Sequence, residues 1–263
     1  WGNKYGDTKL IDGLAKDGLT DAYNQTAMGI SADNTAKKYN ISREAQDDYA
    51  IRSYKRAAEN TENGNFKEEI VTVSVPQRRG EPLQINEDEE YKRVKFEKIP
   101  ALRPAFTKDG TVTAANASTI NDGASALVLV SKEKVKELGL KPIAKIVSFA
   151  DAAHEPEWFT TAPTKAAPRA LNLAGMSVSD VDFWEVNEAF AVVPMAFNQE
   201  LKIDDSKVNV FGGSCAIGHP LGASGARIVT TLNNVLHQND ASVGLATLCN
   251  GGGGASAIII EKV

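Results

Sequence analysis

Several things are scarce in this chain. Its 263 residues include two cysteines and three histidines, and aromatic side chains make up only 7%. Cys215 and Cys249 are too few for a disulfide framework. Both stand in glycine-rich stretches, which favours reduced thiols that pack or react. No apolar run approaches the roughly 18 residues of a membrane span, so no membrane partner is expected. Positive charge is not in excess either. The 29 Lys and Arg stand against 34 Asp and Glu, for a net charge of −5, which argues against nucleic acid as a partner. A local basic patch can still face a phosphate. The C-terminal residues Ile260-Glu261-Lys262-Val263 are no peroxisomal address. The first residue is Trp1, with no signal- or transit-peptide pattern. The expectation is a fragment of an intracellular protein, from the cytoplasm or the mitochondrial matrix.

Glycine is plentiful, and it clusters. Phe211–Arg227 reads F-G-G-S-C-A-I-G-H-P-L-G-A-S-G-A-R and places glycines 212, 213, 218, 222 and 225 around one imidazole, His219. The apolar run Val208–Phe211 predicts a strand before it, and Ala223–Leu236 an amphipathic helix after it. Glycine lets a loop bend tightly and lets a ligand approach the backbone. Pro220 fixes the turn after the imidazole. An incidental histidine in a sharp turn remains the plainer alternative at this point.

Composition is otherwise that of an ordinary globular chain, 42% hydrophobic and 24% charged, enough for one large or two modest domains. Residues 1–30 carry turn signals. Ser31–Tyr39 reads as a short helix. Ser42 is placed to cap a longer one, whose Ala50, Ser53, Tyr54 and Ala57 share a face. Ile70–Val75 alternates as a strand. Residues 77–100 are charge-dense, with an acidic run at 87–90 followed by Lys92, Arg93, Lys95 and Lys98. That is either a solvated surface or a cationic face for an anion. Strands are expected at Ala124–Val130 (buried), Ile143–Phe149, Val181–Val186, Gly244–Leu248 and Ser256–Ile260. Helices are expected at Lys132–Leu138 and Lys165–Ala174, where Pro168 is taken to lie near the first turn and Gly175 to cap the end. The rhythm after residue 124 is α/β, with a mixed sheet covered by helices on both faces. The first 120 residues lack it and read as a loop-rich element.

Three loops follow strands of that second half, and each carries reactive residues: Asn187-Glu188, His219, and Cys249 before Gly251–Gly254. Strand ends are where ligands bind in such sheets. Singly, Asn187 suits a helix cap, Cys249 a packed thiol and the glycines a hairpin. Together they suit acyl chemistry at carbon: a thiol that moves a proton, an imidazole that activates a thiol, and N–H groups for an oxyanion.

The blocks Asn187-Glu188-Ala189-Phe190, Gly218-His219-Pro220 with Gly222–Arg227, and Cys249–Gly253 resemble three signature blocks of the thiolases. The resemblance extends over essentially the whole chain. Glu89–Val94 and Thr111–Ser118 resemble the acetoacetyl-CoA (acetyl-CoA C-acetyltransferase) group within them. It implies a thiolase-like layered α/β fold with a loop-rich inserted domain over 1–120, the last strand and helix of an N-terminal core domain over 121–140, and a C-terminal core domain over 141–263. It implies reversible Claisen condensation of two acetyl-CoA to acetoacetyl-CoA and CoA. In that reaction His219 activates a nucleophilic cysteine and serves an oxyanion, Asn187 holds a water there, and Cys249 is the acid/base thiol. The Gly251 N–H serves a second oxyanion. The nucleophile itself is expected before Trp1, so these 263 residues alone are expected to be inactive.

The resemblance further implies CoA contacts at Arg93, Val94 and Lys98, and a pantetheine or acyl pocket lined by Leu19, Met28, Phe106, Ser118, Ala189 and Phe190. It implies potassium held by the Tyr54 hydroxyl and the carbonyls of Ala114, Ala115, Ala117 and Cys215, and a homotetramer. No redox or organic cofactor is expected. Two positions depart from the family pattern: Ala27 replaces a histidine common before Met28-Gly29, and Thr160 replaces the proline that follows the residue matching Phe159 in relatives that take 2-methyl-branched substrates. Ketoacyl synthases lack a cysteine matching Cys249. The remaining alternatives are a longer-chain 3-ketoacyl-CoA thiolase and a non-catalytic acyl-CoA-binding fragment.

Overall fold

The computed structural model describes residue 2 and residues 4–263, so Trp1 and Asn3, at the start of the irregular stretch expected over 1–30, lie outside the described residues. Four strands form the main sheet: β3 (Ala144–Ala153), β4 (Phe183–Val186), β5 (Val243–Asn250) and β6 (Gly254–Lys262), in the order β3-β6-β5-β4. β4 and β5 run parallel, while β6 is antiparallel to both β5 and β3. Side chains alternate across β5 and β6. Leu245 and Ile259 join the cluster on helix α5 (Pro163–Ala174). Ala246 and Ile260 join Ile228, Leu232 and Leu236 of helix α8 (Ser224–Gln238) on the other face. The expected mixed sheet covered on both faces is therefore present. Leu232, Leu236, Leu245 and Ile259 are wholly buried, each burial contributing roughly 1.5–3 kcal/mol.

Around this sheet lie α1 (Met28–Lys38), α2 (Arg43–Glu62), α3 (Glu90–Arg93), α4 (Lys132–Leu138), α6 (Val192–Leu201) and α7 (Ser214–Ile217). Short strands β1 (Val73–Val75) and β2 (Leu83–Ile85) pair in a separate exposed ribbon. The Ser42 side chain caps α2, accepting from the Ala45 N–H at 3.1 Å. The expected face of α2 is the buried one: Ala50, Ser53, Tyr54 and Ala57 are each no more than 4% exposed. Gly175 ends α5 in the left-handed conformation.

Several expectations are corrected. Ala124–Val130 is neither paired nor buried; Val128 is 90% exposed. Its β-branched apolar run is that of a core strand, but no described strand lies beside it. Val208–Phe211 forms no strand beyond a single bridge from Val208 to Trp184. Asn209 has a left-handed backbone (φ 48°). Its side-chain amide takes the place of a neighbouring strand, accepting from the Val186 N–H and donating to the Val186 carbonyl, each at 2.8 Å. The strand in 70–75 shrinks to β1. Helix α1 begins three residues before Ser31. α5 begins at Pro163, which puts Pro168 past its first turn.

The carboxyl ends of parallel β4 and β5 reach one edge of the sheet, and the β5–β6 turn lies there too. In that turn Gly253 has φ +85°, and any Cβ on it would meet the His154 carbonyl at 2.1 Å. The Phe211–Arg227 segment is held against α2 by equally close approach. Gly212 has φ +86°, and a Cβ there would fall 2.6 Å from the Ser53 carbonyl oxygen. Gly212→Ala is therefore expected to cost about 1–3 kcal/mol, read as a lower denaturant midpoint at unchanged m-value; an unchanged midpoint would contradict this packing.

Candidate functional site

One cavity of about 210 Å³ opens at that sheet edge. Leu19, Met28, Phe106, Ser118, Phe159, Ala189, Phe190, His219, Cys249 and Gly251 all line it. They come from eight separate stretches of sequence. Ala117, expected as a potassium ligand, also lines it, and Gly18, Gly29, Thr119, Ile120, Leu221 and Asn250, to which the sequence assigned no role, complete the wall. Phe106 and Phe190 meet edge to face with ring centroids 6.1 Å apart, a favoured aromatic geometry. The walls are mainly apolar, and Ser118, Thr119, His219, Cys249 and Asn250 are their polar members.

Asn187 is buried just behind His219, its Nδ2 3.3 Å from His219 Nε2. It caps no helix, because α6 starts only at Val192. Its Oδ1 accepts from Ser214 Oγ at 2.7 Å. His219 Nδ1 lies 2.6 Å from Ser224 Oγ, and the His219 N–H donates to the Thr119 carbonyl. The ring is thus held on both nitrogens and at its backbone. Burial, and secondarily the Arg227 guanidinium, push its pKa down to about 4, so it is a neutral imidazole at pH 7.

Cys249 sits at the end of β5, 7% exposed. Burial pushes its thiol up to about 12, so it rests protonated. Gly251 follows, and its N–H donates no hydrogen bond among the described residues. A free donor there is what an oxyanion needs.

Glu188 was not assigned a role from sequence. It is 1% exposed and its carboxylate accepts four hydrogen bonds: Tyr49 Oη at 3.0 Å, Ser53 Oγ at 2.7 Å, Asn209 Nδ2 at 2.9 Å and the Cys215 N–H at 3.1 Å. It ties the Asn187 loop to α2 and to α7. A buried polar residue beside Asn187 was the available signal; its partners, up to 139 residues away in sequence, were not.

Arg93, Val94 and Lys98 do not line the cavity. Arg93 pairs with Glu89 at 2.8 Å and Glu90 at 3.7 Å. Val94 packs beside Tyr54, Ala216 and Ile217, which joins this stretch to the helix just before His219. Lys98 is exposed. Tyr54 and Cys215 are buried apart from the cavity on the α2 side, and Ala114 and Ala115 also lie outside its wall. Cys215 is wholly buried. Burial and the nearby Glu188 carboxylate hold its thiol well above the ordinary range.

The family profile "Thiolase, N-terminal domain" matches residues 1–133 and "Thiolase, C-terminal domain" matches residues 140–262. A probable acetyl-CoA acetyltransferase of Dictyostelium discoideum is 53% identical over 263 residues, all of this chain and 64% of that protein. A cytosolic acetyl-CoA acetyltransferase of Gibberella zeae is also 53% identical, over all of this chain and 66% of its own length. Among solved structures, the Acat5 thiolase of Ascaris suum, in complex with coenzyme A, superimposes with a TM-score of 0.90 at 48% identity, over all of this chain and 67% of that one. The chain thus spans about two thirds of the length of these relatives. With both profiles matched and identity at this level from end to end, the chain belongs to the thiolase family.

Proposed function

We propose that this chain carries the proton-transfer side of an acetyl-CoA C-acetyltransferase site, which condenses two acetyl-CoA to acetoacetyl-CoA and CoA and runs in reverse as thiolysis. The supporting observation is the shared cavity of His219 and Cys249 beside the free Gly251 N–H. The two cysteines of the chain divide the chemistry. Cys215 is sealed in the core, away from the cavity, and Cys249 is placed for proton transfer. The acylated nucleophile is therefore assigned to a thiol outside these 263 residues.

In the first half-reaction His219 takes the proton of that thiol, the thiolate attacks the acetyl thioester carbonyl, and the C–S bond to CoA breaks. The departing CoA thiolate takes the Cys249 proton, which leaves Cys249 as the thiolate, and His219 keeps the nucleophile's proton until the nucleophile is released again as thiolate. In the second, Cys249 as thiolate removes a methyl proton from another acetyl-CoA. The carbanion attacks the acetyl-enzyme carbonyl, a C–C bond forms, and the enzyme C–S bond breaks. The Gly251 N–H donates to one oxyanion; at the other, His219 donates while it carries the nucleophile's proton, and Asn187 donates through a water. The resting Cys249 thiol is the form that protonates the carbanion in thiolysis.

The apolar walls from Leu19, Met28, Phe106 and Phe190 suit a pantetheine arm. Arg93 and Lys98, outside the cavity, suit the phosphates, with Val94 packed beneath. An intracellular setting accords with acetyl-CoA as substrate. A homotetramer accords with the exposed ribbon, on which Val73, Val75, Leu83 and Ile85 share one apolar face.

We further propose a potassium site made by the residues the resemblance implies. The Tyr54 hydroxyl and the carbonyls of Ala114, Ala115, Ala117 and Cys215 accept or donate no hydrogen bond among the described residues, and oxygens without donors suit a hard cation. When bound, the ion supplies positive charge and stiffens these turns. The thermal midpoint is expected to be higher in potassium than in sodium at equal ionic strength, by mass action; equal midpoints would remove the ion.

Kinetics of the polypeptide carrying this chain test the main reading. His219→Ala and Cys249→Ala are each expected to lower kcat on the order of 10²–10⁴-fold, the usual contribution of a positioned acid or base. Because His219 titrates at about 4, it stays an unprotonated base on acidification, and kcat/KM is expected to lose no activity to this group until pH nears 4. Full activity in either variant, or a His219-dependent limb near pH 6.5, would defeat the assignment.

A further inference from the structure

Behind His219 runs a line of hydrogen bonds whose direction is fixed at both ends. At one end is Arg227 of α8. Its Nη2 lies 3.3 Å from Ser214 Oγ, and its Nη1 lies 3.5 Å from both Glu185 Oε2 and Thr231 Oγ1. A guanidinium only donates. Ser214 Oγ must accept from it, which leaves the single hydroxyl proton to go to Asn187 Oδ1 at 2.7 Å. Asn187 must then turn its Nδ2, a donor, toward His219 Nε2 at 3.3 Å. That nitrogen can only accept.

The other end carries the same instruction. Ser224 Oγ lies 3.1 Å from the Pro220 carbonyl, which only accepts. The Ser224 proton is committed there, so its oxygen accepts from His219 Nδ1 at 2.6 Å. Every group in the line is spoken for in one sense only. Ser214 is wholly buried and Asn187 is 1% exposed, so no water competes to reverse it.

We propose that Arg227 is a positioning residue: acting through Ser214 and Asn187, it selects the Nδ1–H tautomer of His219 and so presents an unprotonated Nε2 to the cavity. Arg227 does not line the cavity and makes no hydrogen bond to the imidazole. Its partner Glu185 is buried on β4, two residues before Asn187, so the strand that carries Asn187 also anchors the guanidinium that orients it. This inference rests on the reading of His219 as a base, for which an unprotonated Nε2 is the requirement, but its test needs no turnover.

The tautomer can be read directly from the imidazole 15N shifts of histidine-labelled protein. Only three histidines are present, and His154 and His237, outside the relay, serve as controls. In the wild type at neutral pH, His219 is expected to show a protonated Nδ1 and a bare Nε2. Ser214→Ala and Arg227→Met are each expected to shift the two signals toward each other as the Nε2–H form appears, with His154 and His237 unmoved. Should Arg227→Met fail to fold because buried Glu185 loses its partner, the double variant Glu185→Gln/Arg227→Met carries the same test. A wild-type Nε2–H pattern, or an unchanged Nδ1–H pattern in both Ser214→Ala and the Arg227 variant, overturns the relay. Intact relay spectra in a protein with no acyl-transfer activity would instead overturn the functional reading.

Discussion

The Glu188 carboxylate is the constraint on which the site depends. It is buried, and a buried charge is tolerated only when it is fully hydrogen-bonded. Here four donors converge on it, two from α2, one from Asn209 and one from the backbone of Cys215. Three chain segments that never meet in sequence are thereby locked to one point. Asn187 and Ala189, the residues on either side, inherit their positions from that lock. So does the turn from α7 into His219. Losing one donor would leave the carboxylate under-satisfied, at a cost of about 1–3 kcal/mol, paid directly at the loops that carry the chemistry.

A second theme is that the reactive end of the cavity rests uncharged. Burial lowers the His219 pKa to about 4 and raises that of Cys249 to about 12. Imidazole and thiol are both neutral at pH 7, and charge appears only as a proton moves. On the proposed mechanism the Gly251 N–H is a fixed donor that meets developing negative charge without rearranging, which is where preorganised dipoles have their greatest effect. The cationic groups sit farther back. Arg227 lies behind Ser214 and Asn187, and Arg93 and Lys98 lie outside the pocket.

Much of this was legible in the sequence, for physical reasons that can be named. Glycine clusters marked the loops because close backbone approach excludes a Cβ. The spacing of Ala50, Ser53, Tyr54 and Ala57 marked the buried face of α2, and Ser42 its start. The β5–β6 hairpin and its cysteine were visible as two apolar runs around four glycines. What was not legible depends on contacts distant in sequence. Ala124–Val130 has the composition of a core strand, yet composition does not say whether a partner lies beside it. Val208–Phe211 was misread because an asparagine side chain, and not a strand, completes the edge of β4. Ser214, Ser224 and Arg227 looked like ordinary loop and helix residues; their roles follow from which atoms they face.

The central claim is that Cys249 exchanges a proton with the methyl carbon of acetyl-CoA inside this cavity. It can be measured by incubating acetyl-CoA in D2O with the polypeptide carrying this chain and following deuterium in the acetyl methyl group by mass spectrometry. The account predicts exchange by the wild-type protein and its loss in Cys249→Ala, with the fold intact. Equal deuterium incorporation by the two proteins would contradict it.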